Sequence, residues 1–177
     1  MMLASRCSEL LQKRLRRLIL VAPVNPWSPH GRRLGPFLGS RIGSSLFLLT
    51  LARMRSAYDY WLKRMYGDAL RIPPGTLEGY SAPLKIPGTF EHGLHIMRHW
   101  TTDLQELESV LPRIGDYPTL LIWGSRDRAV YPSSAEPLRR QFKNCELVVI
   151  EGAGHLPYEE MPEDFNGAVI HFLLSTP

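Results

Sequence analysis

Two stretches decide the architecture: LLIWGSRDRAV at residues 120–130 and LVVIEGAGHLP at residues 147–157. Each starts as an uninterrupted apolar run and breaks at glycine into a loop carrying an ionisable side chain, Asp127 in the first and His155 in the second. Runs without polar alternation suit strands covered on both faces, as in a parallel sheet. A third run of this kind, Leu18-Ile19-Leu20-Val21-Ala22, ends at Pro23 and Pro26. Helical spacing follows each of the two later runs. The repeated order of strand, loop and helix predicts an α/β layered fold. Right-handed crossovers then gather the loops after the strands along one edge of the sheet.

Working outward, Leu3, Cys7, Leu10, Leu11 and Leu15 fall at helical spacing, so residues 2–14 read as an amphipathic helix. The competing reading, a basic transit peptide, is opposed by Glu9 and by the strand pattern that follows at once. Between the first and second strands, segments 45–66 and 89–111 read as helices. Ile72-Pro73-Pro74-Gly75 and Pro83–Gly88 read as turn-rich breaks. A connection of this length needs structure of its own, so it reads as a helical insertion over the strand-end edge. Gly31, Gly35, Gly39 and Gly43 recur every fourth residue among Arg32, Arg33 and Arg41. The arginines argue against a membrane dimer face, and the stretch reads as a flexible loop leading into a short helix.

An Asp and a His on neighbouring strand-end loops can meet as an orienting carboxylate and an imidazole base. At these residues the chain resembles the α/β-hydrolase family. LLIWGSRDRAVYP is similar to that family's seventh strand and acid loop. LVVIEGAGHLPYEEMPEDFNGAVIHFL is similar to its eighth strand, histidine loop and final helix, and RLRRLILVAPVNPW to its sixth strand. The resemblance implies a partial α/β-hydrolase fold, a mostly parallel sheet with an inserted helical cap. Residues 1–32 would be the post-elbow helix and sixth-strand region, 33–112 the cap, and 113–177 the C-terminal core. It further implies Asp127 as triad acid, His155 as triad base, a small ester or related substrate, and no metal or organic cofactor.

The family's nucleophile occupies a G-x-S-x-G elbow. Here the glycine pairs four apart bracket Arg33, Phe37, Arg41 and Leu77, never Ser, Cys or Asp. The expectation is therefore a fragment that lacks the elbow, the first five strands and both oxyanion-hole amides, inactive alone. Its exposed sheet edge would invite self-association. The alternative is a non-catalytic protein of the same fold that binds a small molecule or a partner.

Composition narrows the remaining classes. The chain has 177 residues, 44% apolar and 21% charged, which suits a folded domain and excludes disordered, collagen-like and coiled-coil chains. Its longest apolar runs, Leu18–Val24 and Leu46–Leu51, fall well short of the roughly 20 residues that span a bilayer. Cys7 and Cys145 make no disulfide framework or zinc signature, which points to a reducing, cytoplasmic compartment. Residues 1–72 carry 13 Lys and Arg against 3 Asp and Glu, while residues 73–177 carry 8 against 14. The basic stretches Arg14–Arg17 and Arg32-Arg33 lack interleaved stacking aromatics, so nucleic acid is not an expected partner. His92, His95 and His99 share a helical face without a completing ligand and read as exposed cap histidines rather than a metal site. Trp27 and Val130 are the pocket candidates. Trp61 and Trp100 suit a pocket or aromatic core packing equally.

Overall fold

A computed structural model describes residues 1, 14–29, 34–49 and 55–175. The proposed helix at residues 2–14 lies outside them except for Arg14, which is in a turn. The three apolar runs form parallel strands β1 (Leu18–Val21), β2 (Thr119–Gly124) and β3 (Cys145–Ile150), in the spatial order β1-β2-β3. Leu18 pairs with Thr119, and Thr119 in turn with Cys145, so the strands end together on one edge. Every residue of the central strand β2 is buried. Its side chains alternate between two cores, which explains why its sequence is apolar without a break.

On one face Leu121 and Trp123 meet Leu107, Val110, Leu111, Ile114, Leu138 and Phe142. On the other, Leu120 and Ile122 meet Ile150 and Phe172, with Phe165 and Val169 packed alongside. The first layer comes from the end of a long cap helix and from the short helix before β3. The second comes from the C-terminal helix. Burying each such side chain stabilises the fold by about 1.5–3 kcal/mol, so this three-layer arrangement holds the strand ends in place.

Five α-helices are described between β1 and β2, α1 (Leu34–Gly39), α2 (Arg41–Leu49), α3 (Arg55–Met65), α4 (Thr76–Ser81) and α5 (Thr89–Val110), and α6 (Ala135–Arg139) lies between β2 and β3. After β3 come α7 (Pro157–Glu160) and α8 (Pro162–Ser175). The described part of the segment read as helical over 45–66 is α2 and α3 up to Met65, and the segment over 89–111 is α5 up to Val110, with Leu111 opening a 3-10 turn. The break at Pro83–Gly88 includes a short 3-10 turn at Ala82–Lys85 and ends at Gly88, whose φ of 87° only glycine adopts freely.

The glycine series corrects one expectation. Residues 34–49 are two helices, not a flexible loop before one helix. A Cβ on Gly35 would lie 3.4 Å from the Met97 carbonyl, and one on Gly39 3.5 Å from Arg98 Cγ. A Cβ on Gly43 would fall 2.0 Å from the Phe37 carbonyl oxygen. Fourfold glycine spacing here lets α1 lie close against α5 and lets α2 fold back on α1. The small-residue stripe packs helices within the cap. Among the described residues no helix is long and apolar enough to cross a membrane.

Candidate active site

The loop after β2 is held by its own backbone and by the indole beneath it. The Asp127 N–H donates to the Gly124 carbonyl at 3.1 Å, closing a turn. Asp127 Oδ1 then accepts from the backbone N–H groups of Ala129 at 2.8 Å and Val130 at 2.9 Å. Trp123 Nε1 donates to the Val130 carbonyl at 2.9 Å, so the buried ring ties the loop to its own strand. An Asp at this position can replace a backbone acceptor two and three residues ahead, which is the reason the loop folds locally.

The histidine loop is laced to this one. Ser125 N–H donates to the Ile150 carbonyl, Arg126 N–H to the Ala153 carbonyl, and Gly152 N–H to Ser125 Oγ. Gly124 makes the approach possible, since a Cβ there would sit 2.0 Å from the Gly154 carbonyl oxygen. The result brings the two ionisable residues together. His155 Nδ1 and Asp127 Oδ2 are 2.9 Å apart, with the carboxylate side chain fully buried and the imidazole 20% exposed.

Asp127 thus accepts three hydrogen bonds, two from backbone and one from the ring. A buried carboxylate with that many donors stays acceptor-only, which assigns the proton to Nδ1 and leaves the lone pair on Nε2. Nε2 meets no hydrogen-bond partner among the described residues. Such a pair can take a proton at Nε2 while the carboxylate stabilises the imidazolium that results.

The cap reaches into the same place. His155 N–H donates to the Met65 carbonyl at 2.6 Å, at the end of α3. A Cβ on Gly154 would lie 2.3 Å from that carbonyl oxygen, and one on Gly67 2.3 Å from the Gly152 carbonyl oxygen. Beside this contact a cavity of about 230 Å³ is lined by Trp61, Arg64, Met65, Arg128 and Ala129. The Arg64 guanidinium lies over the Tyr60 and Trp61 rings, 5.6 and 5.9 Å from their centroids.

The pocket candidates are therefore redistributed. Val130 is 3% exposed and packs in the core under β2, so it serves the site through its N–H and not its side chain. The Asp-centred turn is what rotates Val130 inward. Trp27 packs against the same core cluster. Trp100 lies at the α1–α5 contact beside Gly35, and Trp61 is the tryptophan that lines the cavity. The His95 and His99 rings lie tilted at 42° with centroids 4.4 Å apart, and His99 Nδ1 is bonded to the His95 carbonyl. Among the described residues no cluster of three or more His, Cys, Asp or Glu could hold a metal ion.

Sequence reasoning missed Glu159 and Glu160. Glu159 accepts from the Tyr66 hydroxyl at 2.5 Å and from the Tyr80 hydroxyl. Burial and this carboxylate hold the Tyr66 phenol well above its ordinary pKa, and the same carboxylate, aided by burial, raises Tyr80. Two adjacent acids inside the apolar LPYEEMP segment were the available signal.

The sequence pattern of the α/β hydrolase family matches residues 2–168. This chain belongs to the α/β hydrolase family. It is 33% identical over 110 residues to the pimeloyl-(acyl-carrier protein) methyl ester esterase of Nitrosospira multiformis, covering 60% of this chain and 38% of that protein. It is 34% identical over 58 residues to a human monoacylglycerol lipase, covering 33% of this chain and 17% of that protein. The α/β hydrolase chain thus spans well under half the length of these curated relatives. The crystal structure of Cfl2 from Burkholderia cenocepacia superposes with a TM-score of 0.70 at 17% identity, covering 92% of this chain and 58% of that one. At that identity the likeness shows the fold alone.

Proposed function

We propose that Asp127 and His155 are the acid and base of a Ser-His-Asp triad that hydrolyses a small ester, and that the serine lies outside these 177 residues. One observation carries this reading: the buried Asp127 carboxylate bonded to Nδ1 of a partly exposed His155 at the strand-end edge. The names of the relatives, a methyl ester esterase and a monoacylglycerol lipase, support ester chemistry.

In the completed site the serine Oγ attacks the ester carbonyl and passes its proton to His155 Nε2. That proton leaves with the alcohol as the C–O bond breaks and the acyl-enzyme forms. Water then attacks the acyl group, again giving a proton to Nε2, and serine leaves with it. Throughout, Asp127 fixes the ring and stabilises the imidazolium. In this reading residues 33–112 are the cap, residues 1–32 and 113–177 belong to the core, and the compartment is the cytoplasm. The edge of β1, which pairs with no other strand among the described residues, is where completing strands or a second copy would pair. The cavity beside Trp61 and Ala129 favours a second reading, a non-catalytic protein that binds a small molecule there.

The test compares the 177-residue chain with a chain lengthened upstream in its own reading frame, both given a chromogenic short-chain ester. Turnover by the lengthened chain alone, abolished by His155→Ala, supports the proposal. An upstream frame without a G-x-S-x-G elbow, or His155-dependent turnover by the short chain, overturns it.

A further inference from the structure

Glu160 is 8% exposed, and the proton transfers proposed above have no use for its carboxyl group. Its hydrogen bonds join two segments far apart in sequence. Oε1 accepts from the Gly154 N–H at 2.6 Å. Oε2 accepts from the Gly67 N–H at 2.8 Å and from the Asp68 N–H at 3.4 Å. Gly154 immediately precedes His155, whose own N–H donates to the Met65 carbonyl. Residues 65–68 and 154–155 are therefore bridged twice, once by backbone and once through this carboxylate.

A carboxylate removed from water is costly unless donors replace its hydration, and here three backbone N–H groups do so. Two of those donors lie after α3 and one in the histidine loop, so the carboxylate is satisfied only when the two segments meet. The neighbouring Glu159 holds Tyr66 and Tyr80, from the same part of the cap. That segment continues directly from the helix whose Trp61, Arg64 and Met65 line the cavity.

We propose that Glu160 is a positioning residue: it ties the backbone of the His155 loop to the segment after α3, so the imidazole keeps its register with Asp127 only while that segment is docked. The proposal rests on the reading of Asp127 and His155 as the acid–base pair, and it makes cap docking a condition for an ordered base.

The experiment is NMR hydrogen exchange on the 177-residue chain. In the unsubstituted protein the Gly67, Gly154 and His155 amides should open together, with one shared dependence on added denaturant, apart from the slower amides of β2. Independent opening of Gly67 and Gly154 would overturn the proposal, and this measurement needs no variant. Glu160→Gln replaces one acceptor oxygen with an amide that faces an N–H donor. Its His155 Nδ1–H should exchange with solvent faster by on the order of tenfold, as expected for one lost bond to a buried donor, while β2 protection is unchanged. Glu160→Asp, which keeps the charge on a shorter stem, should recover part of that protection. An unchanged Nδ1–H in folded Glu160→Gln would also sink the idea. None of these readouts uses ester turnover, so failure of the hydrolase reading shows separately in the His155→Ala assay.

Discussion

Asp127 Oδ2 and His155 Nδ1 stand 2.9 Å apart, joining two strand-end loops whose residues are 28 positions apart in the chain. The other carboxylate oxygen is committed to the Ala129 and Val130 amides, so the side chain cannot swing to follow the ring. The imidazole is oriented by a group that is itself held by backbone.

Asp127→Asn should keep the amide contacts through its carbonyl oxygen but place an NH₂ group against Nδ1. The ring must then switch tautomer and lose its lone pair at Nε2. We expect a stability loss of about 1 kcal/mol by urea unfolding and, in a chain lengthened to include a serine elbow, a fall in kcat of roughly 10⁴-fold. Asp127→Ala, which leaves two buried amides without an acceptor, should cost about 3 kcal/mol or more.

Gly154→Ala should destabilise, because its Cβ would meet the Met65 carbonyl oxygen at 2.3 Å and the Gly67 nitrogen at 2.4 Å. Backbone must move on one side, at a cost of about 1–3 kcal/mol, and limited proteolysis should then cut near residues 67–75. Gly93→Ala is the opposite case. It lies inside α5 with nothing within 4 Å of the added atom, so it should stabilise by about 0.5–1 kcal/mol. Thermal unfolding of the pair checks both signs.

Alkaline pH should loosen the cap. Burial with the Glu159 bond raises Tyr66, and the Glu159 bond with burial raises Tyr80, both from an ordinary value of 10.0. Above that pH the unfolded chain releases phenolic protons that the folded chain retains, so the unfolded state gains and stability falls as pH rises. A Tyr66→Phe, Tyr80→Phe double variant should show a flatter decline of unfolding midpoint between about pH 10 and 12 than the unsubstituted chain. Equal slopes would exclude these two phenols as the source.

Cys145 should be a slow thiol. Burial pushes it up to about 11 from an ordinary value of 9.0, which lowers its thiolate fraction near neutrality by about two orders of magnitude. In a Cys7→Ser background, alkylation by iodoacetamide at pH 8 should run on the order of a hundredfold slower than in the urea-unfolded protein.

Much of this was legible along the chain. The strand at 119–124 is an unbroken apolar run because it is covered on both sides, and that coverage writes itself into composition. The run at 147–150 promised the same cover, but β3 lies at the end of the strand order with Val149 47% exposed, because a strand's apolar run does not say how much of each face its neighbours reach. Asp127 and His155 stood out because each follows such a run at a glycine break. The glycines at 35 and 39 were read as a loop because their reason is a neighbour, Met97 and Arg98 of a helix more than fifty residues away, and Gly43 because its reason is the Phe37 carbonyl of the preceding helix folded back on it. Val130 was read as a pocket residue because spacing alone does not show a turn closing around the Asp127 carboxylate.

By itself, the amino-acid sequence determined three parallel strands, the central one fully buried, the loops that carry an acid and a base, and membership in a hydrolase family. Those features are local: an apolar run, a glycine break and an ionisable side chain lie within a dozen residues of each other. The tertiary structure alone decided that Asp127 and His155 meet, that Val130 turns inward, and that Glu160 clasps amides 92 and 93 positions back in the chain. Such contacts depend on backbones approaching where no Cβ stands between them, and on where buried amides find their acceptors. Both are set by how the layers pack.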